Sequence, residues 1–142
     1  MKQALLLATI CLMLAGCGTY SETRIITLSS PPKTIALGEF KGNDAGIAQF
    51  FADTIAIQLT TADFQVIADL NRADVVITGA VSYIVPTYGQ SGSSNWILMI
   101  KTKEGQILGT IGCDVIGQKE SKEVISEIAK RLVKYLQGNN NK

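Results

Sequence analysis

The chain has 142 residues, with 13 Lys and Arg against 12 Asp and Glu and no histidine, for a formal charge of +1. So balanced a chain has no surplus of cations to neutralise phosphates, which excludes a nucleic-acid partner on electrostatic grounds, and no run of like charges marks it for anionic headgroups. Without histidine it also lacks the usual general base and the commonest metal ligand, which argues against an enzyme and against a metal or other bound cofactor.

The first 16 residues have three parts: a basic start at Lys2, an apolar core from Ala4 to Ala15, and small residues before Cys17. A helix rising 1.5 Å per residue needs about 20 apolar residues to cross a bilayer. The core is shorter than that, so residues 1–16 read as a secretory signal segment. Leu14-Ala15-Gly16-Cys17 resembles the bacterial lipoprotein processing box. That resemblance implies cleavage between Gly16 and Cys17, and covalent diacylglycerol and N-acyl lipid on Cys17. Two or more acyl chains anchor a protein stably, at ~0.8 kcal/mol per buried CH₂. Gly18, where related lipoproteins retained at the inner membrane often carry Asp, favours the outer membrane of a diderm cell, with the domain facing the periplasm. The alternative is an ordinary signal peptide with an incidental Cys.

The remainder is long enough for one domain with its own core and too short for two. Cys11 leaves with the signal segment and Cys17 takes the lipid, so Cys113 is left without a disulfide partner. It lies in an alternating apolar stretch, where a buried, unreactive thiol is expected.

Residues 17–33 read as the lipidated Cys and a short polar tether, in which Arg24–Leu28 has the look of a short edge strand. Fourteen residues span at most ~50 Å at about 3.5 Å each, which keeps the domain near the membrane. A single globular domain over 34–137 follows, with a frayed tail at 138–142. Within it, Thr34–Phe40 reads as a buried strand and Asp44 as the N-cap of a helix over 45–61. Ile47, Phe51, Ile55 and Leu59 form that helix's inner stripe.

Asp63–Ile67 is a short strand, followed by a turn through Asp69–Arg72. Ala73–Val81, rich in β-branched residues, is a central strand. Strand, helix and strand in this order invite a crossover between parallel neighbours. Trp96–Thr102 and Gln106–Ile116 form a hairpin about Lys103-Glu104-Gly105. Ser121 can cap a last helix that runs to Gln137 and stops at Gly138. The fold class is therefore α+β: a mixed sheet of about 4–5 strands with two main helices packed on one face.

Residues 35–40, a capped helix, Phe64-Gln65-Val66-Ile67 and Ala73-Asp74-Val75-Val76-Ile77-Thr78-Gly79-Ala80-Val81 together resemble the superfamily of the curli-secretion lipoprotein CsgG. The TolB amino-terminal domain and LpoB are related members. The resemblance spans residues 34–137. It implies a mixed sheet with helices on one face, in an envelope protein that works by contacting other proteins. The chain departs from these relatives in having no long amphipathic hairpins for a barrel, no long Pro-rich stalk and no residues left for a propeller.

Several residue patterns invite a site and are better read as structure. Ser30-x-x-Lys33 matches an acylating motif that needs both side chains one turn apart at a helix start, but two prolines intervene. Gly38, Gly42 and Gly46 fall where phosphate cradles form, yet no Lys-Ser/Thr follows and the Asp44 carboxylate would repel an anion. Asp53, Asp63, Asp69 and Asp74 lack a metal-loop spacing and read as caps and turn formers. Gly112 and Gly117, either side of Cys113, mark a bulge or a close backbone approach.

One candidate partner site is left, the Gly/Ser loop 86–95 with Tyr88 inside it and Tyr83 and Trp96 at its ends. The alternative there is that Tyr83 and Trp96 finish the core. The sequence as a whole reads as a non-catalytic, lipid-anchored accessory or assembly factor of the cell envelope that acts through protein–protein contacts. The competing reading is a homo-oligomeric ring or scaffold subunit of a secretion or surface-organelle system.

Overall fold

The computed structural model describes residues 17–85, 92–117 and 119–138. In chain order these form β1 (Cys17–Arg24), β2 (Thr34–Gly42), α1 (Ala45–Thr61), β3 (Gln65–Ile67), a 3₁₀ turn (Leu70–Arg72), β4 (Val75–Ile84), β5 (Ser93–Lys101), β6 (Ile107–Ile116) and α2 (Ser121–Gln137). The six strands make one sheet in the order β1-β6-β5-β4-β2-β3. β2 runs parallel to β3 and β4, and the other three pairings are antiparallel. The fold is α+β with a mixed sheet, and β2, α1 and β3 form the expected crossover between parallel neighbours.

Two expectations about the sheet need correction. The sheet has six strands where the sequence suggested four or five, and the segment read as a tether begins as a strand. β1 pairs with β6 along its whole length, from Cys17↔Ile116 to Arg24↔Gly109. An edge strand with one neighbour needs little apolar patterning, and its Tyr and Thr residues suit a pleated, half-buried surface. Beyond Arg24 the backbone N–H groups of Ile25 and Ile26 both donate to Leu108 O, at 2.9 and 3.0 Å, and the pairing stops.

The helices obey the sequence more closely. Asp44 caps α1, its Oδ1 accepting from Ile47 N at 2.9 Å. The last helix starts at Ser121, but Ser121 lies inside it: the capping position is Glu120, which makes no side-chain cap bond. Gly138 closes α2 in the left-handed conformation at φ 68°, its N–H donating to Tyr135 O.

Because side chains alternate across a strand, each cross-strand pair shares a face. Ile77↔Ile100, Gly79↔Leu98 and Val81↔Trp96 lie on the helix side, and the row continues through Trp96↔Cys113 and Leu98↔Ile111. Phe51, Ile55 and Leu59 of α1, with Val124, Ile128, Leu132 and Tyr135 of α2, close over this face as one core. Phe51 meets Phe40 on one side and Trp96 on the other edge to face, each with centroids 5.3 Å apart, the arrangement aromatic quadrupoles favour. Gly79 makes this possible: a Cβ there would sit inside the Phe40 ring. The opposite face, with Val76, Thr78, Ala80, Ile97 and Met99, has no helix over it among the described residues.

Candidate functional site

The candidate loop divides. Tyr88 lies outside the described residues. Trp96 is 0 % exposed: its ring is clasped by Phe51 and its Nε1–H donates to Ser94 Oγ at 2.8 Å. It finishes the core and offers no surface to a partner. Tyr83 is half-buried, and its backbone is held by Asn43, which accepts from Tyr83 N at 2.9 Å and donates to Tyr83 O at 2.5 Å.

Gly16 is also outside the described residues, whereas the backbone of Cys17 opens β1 opposite Ile116. Of the four aspartates singled out in the sequence, three accept hydrogen bonds and Asp63 follows a helix end. Asp69 accepts from Asn71 N at 2.9 Å and Asp53 from Gln49 Nε2 at 2.7 Å. Asp63 sits at φ 66° just past the end of α1. Asp74 takes the backbone N–H groups of Lys33 and Thr34, both at 2.9 Å. These bonds, Thr34's first and then Lys33's, hold the Asp74 carboxyl below the usual carboxylate range.

Ser30 and Lys33 lie in a non-helical stretch, without the helical turn the acylating motif requires. Gly42 and Gly38 pack closely on Val81 and on Thr78 of β4. Gly112 is a close approach, where an added Cβ would lie 3.0 Å from Ser21 Oγ and 3.3 Å from Trp96 O. Gly117 is a left-handed turn at φ 91°. Cys113 is buried and free, and burial pushes its thiol up from the ordinary value. Among the described residues no three His, Cys, Asp or Glu side chains gather as metal ligands would, and no helix is long and apolar enough to cross a membrane.

A groove of about 390 Å³ runs between the C-terminal halves of the helices, lined by Gln58, Thr61, Glu127, Lys130, Arg131 and Lys134 among others. The Thr61 hydroxyl is taken by Ile57 O. Arg131 pairs with Glu127 at 3.0 Å and stands 4.8 Å over the Tyr20 ring, tying α2 to β1.

Exposed apolar side chains are the more informative feature. On α1, Phe50 (45 % exposed) and Ile57 (63 %) lie seven residues apart, two turns along one flank, separate from the buried stripe of Phe51, Ile55 and Leu59. At one end of the sheet Ile84 (60 %), Val85 (68 %) and Ile116 (69 %) stand out. Of the inner stripe expected from the spacing, Phe51, Ile55 and Leu59 are buried and Ile47 is half-buried; the outer stripe is an addition that the structure makes. Phe50 and Ile57 were there to be found, as two large apolar residues at a helical repeat off the core face.

No protein-family model matches the chain, and no curated protein matches it. Solved structures do. A single-substitution variant of PelC from Paraburkholderia phytofirmans, a dodecamer, aligns with a TM-score of 0.65 at 14% identity, covering 87% of this chain and 100% of that one. A second PelC dodecamer gives 0.64 at 15% identity, covering 85% and 98%. A DUF4136 family protein from Bacteroides thetaiotaomicron gives 0.57 at 12% identity, covering 86% and 98%. At such identities the likeness is one of fold, and it extends over nearly the whole of each neighbour.

Proposed function

We propose that this chain is a non-catalytic, lipid-anchored protein of the bacterial cell envelope that works by protein–protein contact, first with further copies of itself. The observation that carries the reading is the second apolar stripe of α1. Phe50 and Ile57 are large, exposed and aligned, a pattern a solitary surface helix does not need. The fold likeness to a protein crystallised as a dodecamer supports self-association as the form the contact takes. Descent from the CsgG, TolB amino-terminal and LpoB superfamily, and an outer-membrane address with the domain towards the periplasm, are further parts of this proposal. The lipid anchor rests on Leu14-Ala15-Gly16-Cys17.

The test is the mass of the detergent-extracted protein by light scattering, for the wild type and for Phe50→Ser combined with Ile57→Ser. Several subunits for the wild type and a monomer of unchanged circular dichroism for the variant is the expected result. A monomeric wild type would sink self-association. In-cell crosslinking would then show whether a different envelope protein takes the same stripe, as an accessory factor requires.

A further inference from the structure

The β1–β6, β6–β5 and β5–β4 registers bring Cys17, Ile116, Ser93 and Ile84 into one cross-strand row at one end of the sheet. Ile84 and Ile116 are the outermost paired residues of their strands in these registers, and Val85 follows directly. All three are more than half exposed. The opposite end of the same strands also carries exposed apolar side chains, Ile25 and Ile107 among them. Apolarity alone therefore does not choose between the ends. The position of Cys17 does.

We infer that the Ile84–Val85–Ile116 rim is a membrane-contacting surface, seated in the headgroup–acyl boundary of the bilayer that holds the lipid of Cys17. The inference rests on the reading of Cys17 as lipidated and adds an orientation to it. Because β1 pairs from its first residue, no slack chain separates the acyl group from the sheet. The row of strand ends beside Cys17 is thus held at the lipid surface, while the β5–β6 turn at Thr102–Gln106 points away. β5 spans 9 residues, so at about 3.3 Å per residue the two ends are separated by roughly 25–30 Å. Apolar side chains that dip into the interface add to the hold of the acyl chains and fix the tilt of the domain. A rim with this role would be exposed in an isolated chain, as these three residues are.

The experiment uses the full-length, membrane-processed protein, carrying an environment-sensitive fluorophore on Ile116→Cys or, as control, on Ile107→Cys at the far end. Both are reconstituted into phosphatidylethanolamine–phosphatidylglycerol vesicles. Intact mass of each preparation reports acylation independently. The expected result is an acylated chain whose probe at 116 is blue-shifted and quenched at least several-fold more by lipid-borne nitroxide than by an aqueous quencher, with the reverse at 107. An acylated chain whose 116 probe is quenched from water would overturn the inference while leaving the anchor standing. A 116 probe shielded from both quenchers would overturn it in favour of contact with another protein. A chain without acyl mass would overturn the anchor and this inference together. A second measurement guards against a folding defect: Ile84→Ser combined with Ile116→Ser should keep the wild-type melting temperature and lose the preference of a probe at Val85→Cys for lipid quenching.

Discussion

Asp74 and Thr34 bind one another from both sides of the β2–β4 pair. The Asp74 carboxylate accepts from Thr34 N at 2.9 Å, while Asp74 N donates to Thr34 O and Thr34 Oγ1, both at 3.0 Å. The pairing fixes where two parallel strands start, a place where no hairpin turn can set the register. Asn43 does the same at the other end through the backbone of Tyr83. The Ala-Asp-apolar-apolar-apolar-Thr-Gly segment at 73–79 therefore carries a clamp at its start and, at Gly79, the space for Phe40.

Removing the clamp has a pH signature. The folded Asp74 carboxyl is held below its ordinary value, so its contribution is complete above the ordinary carboxylate range, about pH 4, and is lost as pH falls through the folded value. Asp74→Asn should lower stability at pH 7 by about 1–2 kcal/mol. Between pH 5 and pH 2 it should lose less stability than the wild type, as urea melts at each pH would show. Parallel curves would contradict the clamp.

Gly79→Ala should be severe, because the new methyl group enters the Phe40 ring, itself pressed on Phe51. A loss of about 1–3 kcal/mol is expected for such overpacking. Phe40→Leu in the same chain should return part of it, and a thermal melt of the two single variants and the double variant measures that coupling.

Tyr135 is buried, its hydroxyl donates to Leu108 O at 3.0 Å, and Arg24 lies 4.3 Å over its ring. Tyr135→Phe removes one of three donors to Leu108 O, which keeps the N–H groups of Ile25 and Ile26, and should cost no more than about 1 kcal/mol. Trp96→Ala should cost about 3–5 kcal/mol. The contrast between these two losses, read from denaturant midpoints, distinguishes a trimmed hydrogen bond from an emptied core.

Thr78 offers the opposite sign. Among the described residues its hydroxyl is the one buried side-chain polar atom without a partner. Thr78→Val removes an unsatisfied group at equal shape, so stability should hold or rise by up to about 1 kcal/mol. A clear loss would mean that the hydroxyl is engaged in the assembled protein.

Hydrogen exchange tests the edge strand directly. Alternate amides between Gly18 and Arg24 should be protected through pairing with β6, whereas a free tether would exchange all of them at once.

Several elements were legible in the residues alone because their determinants are local. The Asp44 cap and the spacing of Phe51, Ile55 and Leu59 define α1. The β-branched run of β4 and the Gly105 turn between β5 and β6 needed no distant partner to be recognised. The signal segment and the lipid on Cys17 belong to the proposal, and rest on chain order and composition alone.

What the tertiary structure decided depends on partners far apart in sequence. β1 carries too little apolar pattern to declare itself, and becomes a strand because β6 presents a free edge on which Tyr20 can lie beneath Arg131. Burial of Trp96 depends on Phe51, 45 residues earlier, arriving over its ring. The alignment of Cys17 with Ile116 and Ile84 exists only once three antiparallel registers are set. Each is a contact between segments whose separation in the chain says nothing about their distance in space, and which only the packed sheet brings together.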